Sequence, residues 1–223
     1  VALDVDSKER AARLVAELGP HVGMFKVGKE LFTSEGPEVV RAIVASGGRV
    51  FLDLKFHDIP NTVAKAVGVA AQLGAFFVTL HLSGGRAMLE AAASALPAEG
   101  TQLLGVTVLT SHTDASLRET GASGTVVETV RRLAVLARES GIDGVVCAPQ
   151  EIALIRETAG EDLLIVTPGI RPHGAAKGDQ ARVMTPGEAV RLGADYIVVG
   201  RPITEAASPK DAAQAIVEEL SRD

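Results

Sequence analysis

Four charged residues at or near the ends of apolar runs could do chemistry together: Asp4, Lys26, Asp53 and Lys55. Asp53 and Lys55 stand two apart in RVFLDLK, a spacing that puts both on one face of an extended strand. Such groups are costly to bury singly, but as alternating carboxylates and ammonium groups they tolerate burial and can act on a ligand. A structural salt-bridge ladder would use the same residues. Asp58 adds a third carboxylate just after Lys55. With Pro60 and Asn61 it could equally shape a turn or cap the next helix, where Thr62 could be a helix-start residue. His57 and His81 lack the spacing of a metal motif and read as hydrogen-bonded structural residues.

A second constellation lies late in the chain. Gly200 and Arg201 follow the apolar run DYIVV, and Arg171, Lys177, Gln180 and Arg182 decorate the polar, Gly-rich segment 168–184. A Gly-rich turn exposes N–H groups and arginine adds a bidentate fork, so the pattern predicts a grip on the phosphate of a small molecule. A solvated surface role is the plainer alternative for Arg201, and a mobile surface loop for 168–184. Neither G-x-G-x-x-G nor G-x-x-x-x-G-K-[ST] occurs, which removes the standard nucleotide-binding devices.

The elements that must position these residues are short apolar runs alternating with amphipathic stretches. Strands are expected at 1–5, 22–27, 49–54, 76–81, 102–108, 143–147, 163–167 and 195–199. Helices are expected near 7–18, 34–46, 61–73, 85–96, 125–140, 149–158, 185–192 and 208–221. Gly19, Gly47, Gly74, Gly100, Gly141, Gly160 and Gly193 punctuate the pattern as helix stops. Alternating pairs of this kind predict an α/β chain folded as a closed (β/α)8 TIM barrel, one domain over 1–223, with a doubly wound open sheet as the alternative. Ligands of a barrel meet the C-terminal strand ends, where the charges above fall.

Composition sets the bounds. A hydrophobic fraction of 47% over 223 residues supports a sizeable core. A net charge of −6 argues against a broad nucleic-acid-binding surface. The apolar runs are too short to cross a bilayer, and Cys147, the only cysteine, fits a reducing compartment, so no membrane association and a cytoplasmic location are expected.

At DLKFHDIPNT, residues 53–62, the chain resembles the orotidine 5'-monophosphate decarboxylase family. LDVD, FKVGKELF, VTVLTS, TPGIRP, GDQAR and VVGRPI follow the family's order across essentially the whole chain. The resemblance implies conversion of orotidine 5'-monophosphate to uridine 5'-monophosphate in pyrimidine synthesis, without metal or organic cofactor. It makes Lys26, Asp53, Lys55 and Asp58 the catalytic array, with Lys55 stabilising the C6 carbanion and supplying its proton. It places Asp4 and Lys26 at the ribose hydroxyls, Thr110 and Ser111 near the substrate, and Arg171, Gln180, Gly200 and Arg201 at the phosphate. It also implies a homodimer in which Asp58 and Thr62 reach the partner's site. Leu82 and Ser83 depart from the small alanines common in relatives.

Two rivals follow from the same residues. Metal-dependent phosphosugar enzymes such as hexulose phosphate synthase share the D-x-K-x-x-D core, but carry a magnesium-binding acid where this chain has Lys26. A non-catalytic sensor of phosphorylated ligands would bind without turnover and tolerate loss of Lys55.

Overall fold

The computed structural model describes residues 1–172 and 184–221. Among these, seven strands pair in parallel, β1 (Phe25–Gly28), β2 (Val50–Phe56), β3 (Ala75–His81), β4 (Gln102–Val106), β5 (Gly144–Val146), β6 (Leu164–Thr167) and β7 (Tyr196–Ile197), in that spatial order. The helices are α1 (Lys8–Leu18), α2 (Lys29–Glu35), α3 (Glu38–Ala45), α4 (Pro60–Gln72), α5 (Arg86–Ser94), α6 (Asp114–Glu119), α7 (Val126–Glu139), α8 (Ile152–Ala159), α9 (Pro186–Arg191), α10 (Arg201–Thr204) and α11 (Pro209–Ser221). No described helix is long and apolar enough to cross a membrane.

Local chemistry starts and stops these elements. Thr125 opens α7 by accepting from the Glu128 N–H at 3.2 Å, while the Glu128 carboxylate accepts from the Thr125 N–H at 2.7 Å, a reciprocal cap that satisfies two otherwise orphaned donors. Thr185 and Glu188 repeat it at α9. The helix expected over 34–46 is instead α2 and α3, because Gly36 takes φ 68 and Pro37 lacks the N–H that would carry the helix through. Of the glycines read as stops, Gly47, Gly74, Gly100, Gly141, Gly160 and Gly193 have positive φ, whereas Gly19 remains helical at φ −47.

The expected closed eight-stranded barrel is corrected by the strand ladder. β1 and β7 are the two edges of an open seven-stranded sheet, a half-barrel in its ladder. The segment 1–5 supplies only one bridge, Ala2 to Lys26, with the Ala2 N–H donating to the Val199 carbonyl on the opposite edge. The physical reason is length: the chain bends at Asp6 before α1, so too few residues remain extended for a ladder. The facing edge strand, β7, is itself only two residues long. The doubly wound alternative fails too, since sequential strand order contains no reversal.

The sheet nevertheless curls strongly. In a flat sheet β3 and β7 would lie about 19 Å apart at about 4.8 Å per strand, yet the rings of Phe77 and Tyr196 meet edge-on at 5.1 Å. Phe51, Phe77, Leu104 and Val166 fill the concave side, and a larger cluster including Leu3, Val27, Leu52, Val78, Leu103 and Ile165 joins the chain to its helices. Leu82 is wholly buried. Gly105 makes room for it, since a Cβ there would stand 2.4 Å from Leu82 Cδ2.

Candidate active site

The charged residues converge as an alternating string. Lys55 Nζ donates to Asp53 Oδ1 at 2.7 Å, Asp53 Oδ2 lies 3.7 Å from Lys26 Nζ, and Lys26 donates to Asp4 Oδ1 at 3.1 Å. Side-chain exposure is 13% at both Asp53 and Lys26 and 23% at Lys55, so these charges act on one another with less water between them than a surface pair has. Gly28 leaves space for the string: a Cβ there would stand 3.2 Å from Lys26 Nζ and 3.4 Å from Asp4 Oδ1.

Asp53 and Lys55 meet, but by a route a regular strand does not provide. Leu52 pairs with Val78 and Phe56 with Leu80, so β2 spends four residue steps where β3 spends two. Bulges of this kind re-aim side chains. Within the slack Lys55 adopts φ 56, the sole non-glycine positive φ among the described residues, at a cost of about 1–2 kcal/mol. Its N–H donates to Thr79 Oγ1 at 2.8 Å, and that hydroxyl donates to Asp53 Oδ1 at 3.1 Å.

Burial would raise the Asp53 pKa, but the Lys55 and Lys26 ammonium groups and the hydrogen bonds from Lys55 and Thr79 prevail and hold it below its ordinary value. His81, whose ring centroid lies 5.6 Å from that of His57, is lowered from 6.5 to about 4 by burial first, then by His57, Lys55 and Lys29. In both cases the unfolded chain takes up protons at a higher pH than the folded one. The contribution of His81 is therefore complete above about pH 6.5 and is lost as the pH falls through about 4, whereas that of Asp53 is complete above its ordinary 3.8 and is lost only at lower pH. The thermal midpoint should fall between pH 7 and 4.5, and less steeply in His81→Gln. A midpoint that rises on acidification would contradict this assignment.

Asp4, Lys26, Asp53, Lys55, Thr110, Arg171, Gly200 and Arg201 all line one cavity of about 420 Å³ at the C-terminal strand ends. Arg171 is lowered from its ordinary pKa by burial and by the charge of Arg201, which places the two guanidinium groups near enough to repel and makes the region attractive to an anion. Cys147 also lines the cavity, but burial pushes its thiol up to about 12, so it stays protonated at neutral pH. A second depression of about 490 Å³ runs between α1 and α3, lined largely by alanine, valine and glycine and carrying no carboxylate. The chemistry belongs to the charged cavity.

Other expected site residues fall elsewhere. Asp58, Thr62 and Ser111 are exposed and do not line the cavity. Asp58 is not the cap of α4: it accepts from the Ile59 N–H at 2.6 Å, and α4 begins with Pro60 and no side-chain cap. Lys177, Gln180 and Arg182 lie outside the described residues, as does most of 168–184. Reading the residues missed Thr79, whose only signal is a hydroxyl in the apolar run FFVTL, and Glu205, which lines the cavity with Arg201.

Parallel strands delivering an alternating charge string and two arginines to their C-terminal ends define the class: an α/β protein with a polar ligand site where such sheets bind ligands. The chain belongs to the Orotidine 5'-phosphate decarboxylase / HUMPS family, whose profile matches residues 1–216. It is 56% identical over 223 residues to an orotidine 5'-phosphate decarboxylase of Halorhodospira halophila, covering 99% of this chain and 94% of that one. It is 54% identical to the one from Pelobacter propionicus over 98% of this chain and 93% of that one. Among solved structures it superposes with TM-score 0.88 and 43% identity on orotidine 5'-phosphate decarboxylase from Lactobacillus acidophilus, covering 98% and 96% of the two chains. The corresponding values for the Pyrococcus horikoshii enzyme are 0.82 and 30%, over 100% and 98%.

Proposed function

We propose that this chain decarboxylates orotidine 5'-monophosphate to uridine 5'-monophosphate without metal or organic cofactor. The observation that carries the reading is the string Lys55–Asp53–Lys26–Asp4, whose last member approaches Gly200: a Cβ on Gly200 would stand 3.7 Å from Asp4 Oδ2. Its order parallels a nucleotide, with base at Lys55, ribose at Asp4 and Lys26, and phosphate at Gly200, Arg201 and Arg171. Cleavage of the bond between C6 and the carboxylate releases CO₂ and leaves the electron pair on C6, in the ring plane and without an adjacent carbonyl to delocalise it. The Lys55 ammonium, held ready by Asp53, stabilises that charge and then donates its proton to C6. Asp53 orients Lys55 and sits beside the departing carboxylate, while Lys26 balances Asp53 from the other side. Phosphate binding by the arginines supplies positioning energy remote from the reacting carbon.

Lys26 favours this reading over the magnesium-dependent phosphosugar reactions. Its ammonium stands between Asp4 and Asp53, where a divalent cation would need acids. Among the described residues, no group of three or more His, Cys, Asp and Glu is arranged to hold a metal. We place the enzyme in the cytoplasm as a homodimer, with Asp58 and Thr62 completing the partner's site. Their exposure supports this, as does Ile59 beside them, an apolar side chain left 66% exposed.

The test is turnover of orotidine 5'-monophosphate by purified protein after exhaustive EDTA treatment. Metal-free release of CO₂ with formation of uridine 5'-monophosphate is expected. Folded protein that binds the nucleotide without converting it would sink the reading, and activity appearing only with magnesium and a phosphosugar would install its rival.

A further inference from the structure

Thr79 is fully buried within β3, lines no part of the charged cavity, and yet bonds both the main chain of Lys55 and the side chain of Asp53. A hydroxyl has one proton. Because Thr79 Oγ1 already accepts from the Lys55 N–H at 2.8 Å, its own proton is free to go to Asp53 Oδ1 at 3.1 Å. That same carboxylate oxygen receives the Lys55 ammonium at 2.7 Å. The three groups thus form a closed loop, from Lys55 main chain through Thr79 and Asp53 to the end of the Lys55 side chain.

The loop sits where the ladder between β2 and β3 fails. In the stretch between the Leu52–Val78 and Phe56–Leu80 pairings, the Lys55 N–H bonds a side-chain oxygen rather than a strand carbonyl. Lys55 holds φ 56 there, a conformation that persists only when its surroundings impose it. We propose that Thr79 is a positioning residue for the decarboxylation: it holds the root of Lys55 in the left-handed conformation and shares Asp53 Oδ1 with the ammonium. Without the hydroxyl, the Lys55 N–H loses its acceptor and Asp53 Oδ1 keeps the ammonium as its remaining donor, drawing it away from the substrate. This assignment rests on the decarboxylase reading for its kinetic consequence, though not for its structural one.

Thr79→Val keeps the volume and removes the hydroxyl, and Thr79→Ser keeps the hydroxyl. In the Val variant kcat should fall about 30-fold, the scale of a sub-ångström misplacement, with KM changed by less than about threefold. The Ser variant should stay within about threefold of the unsubstituted enzyme. In the ligand-free proteins, hydrogen exchange at the Lys55 amide should quicken about tenfold or more in Val and not in Ser, as expected for a donor that has lost its partner. Unchanged kcat in Val, equal losses in Val and Ser, or a raised KM at constant kcat would each overturn the assignment. If the unsubstituted protein does not convert orotidine 5'-monophosphate, the functional reading fails. The amide measurement then decides the structural role alone, and unchanged exchange in Val overturns it.

Discussion

Lys55→Ala should lower kcat by about 10⁴-fold or more, because one substitution removes both the cation that faces the C6 carbanion and the acid that protonates it. The loss is compounded by what remains. Asp53, now without its 2.7 Å partner, keeps its negative charge beside the substrate carboxylate and, among the described residues, retains Lys26, at 3.7 Å, as its ion-pair partner. Binding of uridine 5'-monophosphate, which lacks that carboxylate, should change far less than kcat does. Single-turnover kinetics together with product affinity separate the two effects. A variant retaining more than a hundredth of the activity would remove Lys55 from the proton-donor role. A far-UV spectrum and thermal midpoint close to those of the unsubstituted protein establish that the loss is chemical, since alanine must accept the same φ of 56.

Arg201→Ala should act at the other end of the substrate. Each charge-assisted hydrogen bond contributes about 1.5–3 kcal/mol, so losing a bidentate grip on phosphate should lower kcat/KM by about 10²- to 10⁴-fold, mostly through KM. Arg171 stays in the cavity and retains part of the attraction. Orotidine, which lacks the phosphate, supplies the control: the unsubstituted enzyme and Arg201→Ala should convert it at equal, slow rates. Equal losses with both substrates would show that Arg201 supports the fold rather than the phosphate.

Much of this is legible in the sequence. The alternation of apolar runs with amphipathic stretches placed the strands of the seven-stranded sheet close to where they form, because a period of two and a period of 3.6 are written in residue types. The charges at Asp4, Lys26, Asp53 and Lys55 stood out because strand ends in an apolar sheet have few other reasons to carry them, and the cavity collects all four. Asp58 and Thr62 were legible as residues but not as places: their exposure is a property of how the first turn of α4 and the bend before it sit on the surface.

Closure of the barrel was not legible. Residues 1–5 have the composition of a strand, yet a strand exists only where a neighbour supplies a ladder, and the single Ala2 bridge and the two-residue β7 are outcomes of pairing. The same holds for Asp53 and Lys55. By itself the sequence determined that a carboxylate and an ammonium stand two residues apart at the end of a buried strand. Only the tertiary structure decided that β2 bulges there, that Lys55 turns left-handed, and that a threonine from β3 catches its N–H. Side-chain chemistry is local and can be read in one dimension. The hydrogen bond that places it joins residues 24 apart in the chain and exists only when two strands lie side by side.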